Sequence, residues 1–248
     1  MSQIPDRCYT IWFTQRTGST WLCEALASTG IAGRPGEFLM QPSYGEALVA
    51  HNARDRSELL DRLYELGSSA NGIFGIKQGY REPAFGDILY ALTNPAQTRL
   101  ARWGSVFPNH RHIFMTRRNK LRLAVSWWKA IKSGQWHRRH GERPAASDLS
   151  GEYDAIAIDT LMQQAVVREA GIQELFSEAG IVPLQIVYED AVLQLGVTVN
   201  KVLSLLELPP SEANFESLTL EPTADDVTEE WVQRFRDDRQ AGWEGRGW

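Results

Sequence analysis

The sequence TQRTGSTW, which starts at Thr14, combines several groups that proteins use to bind an anion. A β-rich run, YTIWFT, leads into it, and an apolar helical pattern, WLCEALAS, follows. A polar turn between a strand and a helix presents backbone N–H groups at the positive end of the helix dipole, where phosphate and sulfate bind. Arg16 adds a planar cation that can hold two oxygen atoms, and Ser19 and Thr20 add hydroxyl groups. We therefore predict an anion-binding loop, although the residues alone leave open a plain turn in which Ser or Thr caps the helix.

This loop differs from the Walker A loop that binds ATP. If Gly18, Ser19 and Thr20 are aligned with the Gly-Lys-Ser/Thr end of a Walker A loop, Ser19 replaces the lysine. Phe13 then replaces the first glycine. The pattern therefore favours an anion other than the phosphates of Mg·ATP, and a kinase or phosphotransferase with a degenerate P-loop is the alternative.

A second candidate anion site lies in the segment IFMTRRNKLRLAVSWW, which starts at Ile113. Arg117 and Arg118 follow a strand pattern, and Ser126 falls two turns into the helix that comes next, eight residues after Arg118. A strand-end arginine and a helix serine can together hold a phosphate. The alternative is that the arginine forms a surface pair with a carboxylate.

The charge of the chain is distributed unevenly. The formal net charge is −5, yet residues 111–143 contain ten Lys/Arg and one acid, which leaves 16 basic and 30 acidic residues elsewhere. A basic segment in an acidic protein indicates an anion site, and the alternative is a solvated helix face. The acidic remainder argues against a broad nucleic-acid surface.

Strand and helix patterns alternate along the chain, which predicts βαβ units around a parallel sheet. The strand patterns are at residues 9–14, 73–77, 112–116 and 184–188. The helical patterns are at residues 20–28, 57–66, 119–132, 153–179, 191–206 and 228–239. The predicted fold is a single α/β domain over residues 1–248, P-loop-like, with three layers (α/β/α) and a central, mostly parallel sheet. The Gly/Pro-rich segments 32–52 and 135–151 are predicted to be long surface loops over the carboxyl ends of the strands, where ligands bind.

Composition narrows the setting of the protein. No apolar run approaches eighteen residues, so no stable membrane insertion is expected. The first residues have no apolar core of a secretory signal, and Cys8 and Cys23 are the only cysteines, so we expect a cytoplasmic location. The spacing of the five histidines and two cysteines predicts no metal site.

Taken in order, these motifs resemble the sulfotransferases that use 3′-phosphoadenosine 5′-phosphosulfate (PAPS). Within that group the chain is similar to the bacterial carbohydrate family of the trehalose 2-sulfotransferase type. The resemblance also covers GIAGRPGEF, GIFGIK, AVSWWKA, VYED and EEWVQRFRDD, so it extends over most of the chain. Each motif is weak alone, but five in this order are a specific signal.

The resemblance implies roles for particular residues. It implies that the loop binds the 5′-phosphosulfate through Arg16, Thr17, Gly18, Ser19 and Thr20. The 3′-phosphate is assigned to Ser126 with either Arg117 or Arg118. Glu37, the glutamate of GRPGEF, is implied as the general base, with His51 as a weaker candidate, and Lys77 as a contact to the leaving phosphate or the acceptor. For Glu37 and Lys77 the ordinary alternative is a solvated side chain.

The implied reaction is in-line transfer of a sulfuryl group from PAPS to a hydroxyl group, with release of the nucleotide bisphosphate PAP and with no metal. The acceptor is a sugar, glycolipid or other small molecule, and Trp127 and Trp128 are a candidate stacking surface, with Trp128 expected in the core. The resemblance also implies a homodimer. Only Ala224 and Asp225 match the family in EPTADD, so the motifs do not identify the acceptor, and they assign no role to the tail GWEGRGW. A non-catalytic PAP-binding protein is the second alternative.

Overall fold

Four parallel strands form the central sheet of the computed structural model, which describes residues 4–139, 141–142, 149, 151–211, 215, 218, 224–240 and 242. The strands are β1 (Arg7–Phe13), β2 (Ile73–Gly79), β3 (Arg111–Thr116) and β4 (Leu184–Val187). Their order is β2-β1-β3-β4, with β1 parallel to both β2 and β3. All four predicted strands are confirmed, except that Thr14 lies beyond β1 and Tyr188 begins a helix instead of ending β4. The tail from residue 243 onward, like Pro222 and Thr223, lies outside the described residues.

Helices occupy most of the remaining described chain. They are α1 (Ser19–Ser28), α2 (Tyr44–Ala50), α3 (Arg56–Gly67), α4 (Ala84–Leu92), α5 (Arg99–Gly104), α6 (Lys120–Ser133), α7 (Ala155–Ala179), α8 (Tyr188–Ala191), α9 (Leu195–Leu205) and α10 (Asp226–Gln240). The six helical predictions correspond to α1, α3, α6, α7, α9 and α10, although α9 begins four residues later than predicted. Among the described residues, none of these helices combines the length and apolar character that crossing a membrane requires.

The prediction that residues 32–52 form only a loop is wrong, because this segment contains α2. Ser43 accepts a hydrogen bond from the backbone N–H of Glu46 at 3.2 Å and so caps the helix. Ser-x-x-Glu is a sequence signal for a helix start, and it was available in the sequence. The helix α4 was also missed, although its buried residues Phe85, Ile88, Leu89 and Leu92 repeat at helical spacing.

Apolar side chains cover both faces of the sheet, which confirms the three-layer α/β/α prediction. Trp12 and Phe74 pack with side chains of α3, α4 and α5 in one buried cluster. Ile11 and Phe13 pack with α1 and α9 in the other. Because β-strand side chains alternate between faces, the continuous apolar run of β1 supplies both clusters.

The chain divides into two compact units. The first contains Met1–Arg118 and Arg168–Leu218, and therefore the whole sheet and the β1–α1 loop. The second contains Asn119–Val167 and Thr219–Trp248, where α6 and α10 pack around Leu123 and Trp231. The single-domain interpretation of residues 1–248 stays a prediction.

A polar network is buried beneath the sheet of the first unit. Trp12 Nε1 donates to His112 Nδ1 at 3.1 Å, and Trp103 Nε1 donates to Thr10 Oγ1 at 2.9 Å. Thr10 Oγ1 also lies 2.7 Å from His110 Nε2, and the two imidazole rings are 4.6 Å apart. Burial lowers the pKa of His112 to about 4, and burial together with the charge of His112 lowers the pKa of His110 well below its ordinary value. Both rings are therefore neutral at pH 7.

Candidate active site

The loop between β1 and α1 has a backbone suited to an anion. Arg16 and Gly18 have positive φ angles of 65° and 79°, and Gly18 occupies the N-cap position of α1. Left-handed residues in such a loop turn successive N–H groups toward a common side, as in anion-binding nests. Thr17 Oγ1 donates back to the carbonyl of Thr14 at 2.8 Å, and Ser19 is already the first helical residue. Because glycine stands at the N-cap, the plain turn capped by a Ser or Thr side chain is not the arrangement found.

Two arginines meet at the start of this loop. Arg117, which follows β3, donates from Nη1 to the carbonyl oxygen of Arg16 at 3.2 Å. Burial, followed by the positive charge of Arg117, lowers the pKa of Arg16 to about 10. Arg16 is still a cation at pH 7, but both causes disfavour its charged form. An anion bound beside Arg16 and Arg117 would offset both effects.

Arg118 has a different environment from its neighbour Arg117. Its Nη2 donates to both carboxylate oxygens of Asp190, at 3.0 and 2.8 Å, and its backbone N–H donates to Glu189 Oε2 at 2.9 Å. The side chain of Arg118 is 62% exposed, whereas that of Arg117 is 14% exposed. Arg118 therefore forms the surface arginine–carboxylate pair that the sequence left open. Ser126 lies on α6 of the second unit, and its pairing with either arginine stays a prediction.

Lys77 lies at the other end of the loop and joins it to Glu37. Lys77 Nζ donates to Thr20 Oγ1 at 2.6 Å, lies 3.0 Å from Glu37 Oε1, and sits 4.9 Å from the centre of the Phe13 ring. The side chain of Lys77 is 5% exposed, so it is not a solvated strand tip, while that of Glu37 is 41% exposed. A buried ammonium group needs such partners because its desolvation is unfavourable. The Lys77 backbone N–H also donates to the Gly36 carbonyl at 3.0 Å, which holds the segment before Glu37 against β2.

Cys23 and His51 are two further side chains in this region of the chain. Burial raises the pKa of Cys23, which also feels the charges of Lys77 and Glu37, to about 12. It is therefore a thiol at neutral pH and not a nucleophilic thiolate. His51 Nε2 lies 2.6 Å from the Phe38 carbonyl, so this nitrogen carries the proton and donates it. This hydrogen bond fixes the segment that follows Glu37.

The basic helix of the second unit is largely neutralised by acids. Arg122 forms two hydrogen bonds with Glu229, at 2.6 and 2.5 Å. Lys129 pairs with Asp225 at 2.5 Å, and Lys132 pairs with Glu152 at 2.6 Å. In α6, the charge excess of residues 111–143 is therefore reduced by partners that are distant in sequence.

In the second unit, Trp127, Trp128 and Asp225 make contacts that stabilise the fold. Trp127 is buried, and Trp128 is partly buried with its Nε1 donating to the Glu152 carbonyl at 2.7 Å. Trp128, which was expected in the core, packs against the core cluster but is only partly buried. Asp225 accepts from the backbone N–H of Thr228 at 3.1 Å and caps α10.

Sequence reasoning gave no individual role to two residues beside the loop. Glu169 of α7 is buried and accepts hydrogen bonds from Thr116 Oγ1 at 2.8 Å and from Thr14 Oγ1 at 3.5 Å. Tyr188 lies against Gly18 and Arg117. VYED was a signal for Tyr188, whereas Glu169 lies in an ordinary amphipathic helix. No group of three or more His, Cys, Asp or Glu within the described ranges could hold a metal ion.

Comparison with known proteins identifies the family. The profile of the Stf0 sulphotransferases matches residues 8–238. The chain belongs to the Stf0 sulphotransferase family. The family predicted from the motifs is thereby confirmed, and the match covers every residue assigned to the site.

Named relatives and solved structures are similar to this Stf0 chain. The trehalose 2-sulfotransferase of Mycolicibacterium smegmatis is 28% identical, with 97% of this chain and 98% of that protein covered. The trehalose 2-sulfotransferase of Mycobacterium tuberculosis is also 28% identical, covering 93% and 94%. A sulfotransferase structure from Alicyclobacillus acidocaldarius is 13% identical, with a TM-score of 0.48 over 93% of this chain and 91% of that one. The sulfotransferase domain of the curacin biosynthetic pathway is 14% identical, with a TM-score of 0.47 over 96% and 99%.

Proposed function

We propose that this protein transfers a sulfuryl group from PAPS to a hydroxyl group of a carbohydrate and releases PAP. Membership of the Stf0 family supports sulfuryl transfer, and the names of the two mycobacterial relatives support a sugar acceptor. The observation that carries the proposal is the β1–α1 loop, with Arg16 and Arg117 at one end and the Lys77–Glu37 pair at the other. A homodimer, a cytoplasmic location and a glycolipid acceptor stay predictions from the sequence.

The loop is proposed to bind the 5′-phosphosulfate of PAPS. Arg16 supplies a cation, Ser19 and Thr20 supply hydroxyl groups, and Thr17 and Gly18 shape the backbone that supplies N–H groups. These fixed donors would stabilise the charge that develops on the leaving phosphate oxygen, which is how preorganised sites lower a barrier.

Arg117 is proposed as the further arginine of the donor site, with Ser126 at the 3′-phosphate. Arg117 is the better candidate because it contacts the loop through the Arg16 carbonyl and is shielded from water. Arg118 forms two hydrogen bonds with Asp190, at 3.0 and 2.8 Å, whereas the ion pair of Arg117 with Glu189 is longer, at 4.0 Å. A phosphate at Arg118 would have to compete with the Asp190 carboxylate.

Glu37 is proposed as the general base. Its carboxylate takes the proton of the acceptor hydroxyl while the acceptor oxygen forms a bond to sulfur. The bond between sulfur and the bridging oxygen of PAPS breaks, and its electron pair stays on the 5′-phosphate of PAP. Lys77 lies 3.0 Å from Glu37 and donates a hydrogen bond to Thr20, so it links the proposed base to the loop. We propose that Lys77 also contacts the leaving phosphate. Such base catalysis typically contributes about 10²–10⁴-fold to a rate.

Thermal unfolding with added nucleotides tests the donor. A ligand that binds only the folded state raises the melting temperature, so PAP and PAPS should each do so without magnesium. AMP, which lacks the 3′-phosphate, should give a smaller shift, and ATP is the control for the kinase alternative. A shift with Mg·ATP and none with PAP would contradict the proposal.

Incubation with PAPS and trehalose tests the transfer itself. Mass spectrometry should detect a sugar that has gained one sulfuryl group together with an equal amount of PAP. If trehalose is not sulfated, a panel of mono- and disaccharides follows. PAP binding without transfer to any sugar on the panel would support the non-catalytic alternative.

A further inference from the structure

Tyr188 is the first residue of α8 and contacts two parts of the proposed donor site at once. A Cβ atom added to Gly18 would lie 2.6 Å from Tyr188 Cδ2 and 2.9 Å from Cε2. The guanidinium carbon of Arg117 lies 4.6 Å from the centre of the same ring. One aromatic ring therefore contacts both the N-cap residue of α1 and the buried arginine that follows β3.

The contact with Gly18 restricts the anion loop. The ring occupies the space that any side chain at this position would need, so the loop backbone packs directly on Tyr188. The φ angle of Gly18, 79°, already favours glycine. The Tyr188 ring therefore limits the positions that the first turn of α1, with its backbone N–H groups, can take relative to β1.

The contact with Arg117 extends to Arg16. A guanidinium group over a tyrosine ring is held by a cation–π interaction, which fixes its plane. From that position Arg117 Nη1 donates to the carbonyl oxygen of Arg16. Arg16 has a φ angle of 65°, which a residue with a side chain adopts only when its surroundings favour it. Tyr188, Arg117 and Arg16 thus form a chain of contacts that supports the strained start of the loop.

The two residues after Tyr188, Glu189 and Asp190, give Arg117 and Arg118 different partners. Asp190 holds the guanidinium of Arg118 at the surface, and Glu189 accepts the backbone N–H of Arg118. Glu189 Oε1 lies 4.0 Å from Arg117 Nε. The motif VYED therefore fixes Arg118 at the surface while its tyrosine holds Arg117 against the loop.

We infer that Tyr188 is a positioning residue of the donor site, whose ring aligns Gly18 and Arg117 for binding of the nucleotide's phosphate groups. This inference rests on the proposed function, because it assumes that the loop binds PAP. Both contacts involve the ring and not the hydroxyl group. Phenylalanine should therefore replace tyrosine, whereas an aliphatic side chain should not.

The experiment measures PAP affinity by calorimetry at one salt concentration for the wild type, Tyr188→Phe and Tyr188→Leu. Tyr188→Leu removes the ring and should weaken PAP binding about tenfold, a loss between those expected for an exposed and for a fully desolvated cation–π contact. Tyr188→Phe should bind within about twofold of wild type, because it keeps the ring face. The KM for whichever sugar is found to be sulfated, measured at saturating PAPS, should change little in either variant, because the ring contacts the donor loop.

The chain offers a matched control for the ring–guanidinium contact. Arg102 lies over the ring of Tyr90 at 4.6 Å, the same separation as for Arg117 and Tyr188, but neither residue is placed in the site. Tyr90→Leu should leave PAP affinity unchanged. A loss of affinity in Tyr90→Leu equal to that in Tyr188→Leu would indicate a general effect of losing such a contact and would overturn the inference.

A double-mutant cycle with Arg117→Met tests the coupling. If Tyr188 acts through Arg117, adding Tyr188→Leu to Arg117→Met should weaken PAP binding by much less than it does in the wild type. Independent, multiplying effects would contradict action through Arg117. If Tyr188→Leu does not fold, Arg117→Lys keeps the charge but loses the flat stacking surface, and wild-type affinity in that variant would overturn the inference.

The results distinguish a failure of the positioning role of Tyr188 from a failure of the proposed function. If the wild type fails to bind PAP, the proposed function fails. If the wild type binds PAP and a folded Tyr188→Leu binds it equally well, the positioning role alone fails.

Discussion

The two ends of the β1–α1 loop contain cations in different surroundings. At the first end, Arg16 and Arg117 lie close together, and the proximity contributes to a lowered pKa of Arg16. At the other end, the charge of Lys77 is matched by Glu37 at 3.0 Å, with Thr20 as a further partner. A pair of like charges favours an added anion, whereas the ammonium group of a matched pair stabilises its partner as a charged carboxylate, which is the form that can accept a proton. We therefore expect substitutions at the first end to change nucleotide affinity and substitutions at the second to change turnover.

The largest expected effect is at Glu37. Glu37→Gln keeps the size of the side chain but removes the proposed base, so kcat should fall about 100- to 10,000-fold. PAP affinity, measured by calorimetry, should stay within about twofold, because the substitution leaves Arg16, Arg117 and the loop backbone unchanged. Unchanged turnover would exclude Glu37 as the base. It would also contradict the proposal that one end of the loop determines nucleotide affinity and the other determines turnover.

The next largest effect is expected at Arg16. Arg16→Ala removes a charged hydrogen-bond donor, which contributes about 1.5–3 kcal/mol, so PAP affinity should fall about tenfold to 150-fold. Arg16→Lys is the matched control, since it keeps the charge but loses the planar pair of donors and should have an intermediate affinity. Normal PAP binding by Arg16→Ala would place the anion site elsewhere.

Acid should destabilise the core through His112. The pKa of His112 is about 4 in the folded chain against an ordinary value of 6.5, so the unfolded chain binds the proton more readily. The neutral ring contributes its full stability above pH 6.5, and this stability is lost as the pH falls from 6.5 toward 4. At pH 5 the loss from His112 alone is about 2 kcal/mol.

Denaturant unfolding between pH 7.5 and 5 measures this loss. His112→Asn keeps an acceptor for Trp12 Nε1 but cannot titrate, so its stability should depend less on pH. An unchanged slope in His112→Asn would assign the acid sensitivity to other groups, with His110, whose pKa is also lowered, as the first candidate.

The smallest effect is expected in the basic helix α6. Lys132 pairs with Glu152 and lies over the Trp128 ring, and its partly exposed ion pair contributes about 0–1 kcal/mol. Lys132→Gln should therefore leave PAP affinity within about twofold of wild type and lower stability only slightly. A large loss of PAP affinity would show that the paired charges of α6 still attract the nucleotide.

The parts of the site that depend on residues close to one another in the sequence could be predicted from the sequence. The run from Tyr9 to Trp21 determines the strand, the turn and the start of α1 within one stretch, because capping, glycine conformation and periodicity are local properties. The strands were equally clear, since each is a short apolar run bounded by polar residues. The Ser-x-x-Glu cap of α2 was also local, and it was overlooked because the surrounding Gly/Pro-rich composition favoured a loop.

Contacts between distant residues could not be predicted in the same way. Lys77 and Glu37 are forty positions apart and meet because the chain after α1 returns along β2. Tyr188 reaches Gly18 only because β4 follows β3 in the sheet. Likewise, the ten basic residues of the segment from 111 to 143 looked like a single anion surface until α6 was found paired with acids near position 225.

The central position of β1 suggests how such an enzyme could acquire new acceptors. Its neighbour on one side, β2, supports Lys77 and the segment of Glu37, while its neighbour on the other side, β3, leads to Arg117. Because separate strands support the two halves, we expect substitutions beside β2 that keep Lys77 to leave Arg16 and Arg117 in place. Donor recognition would then be the inherited part of the enzyme, and acceptor choice the part free to diverge.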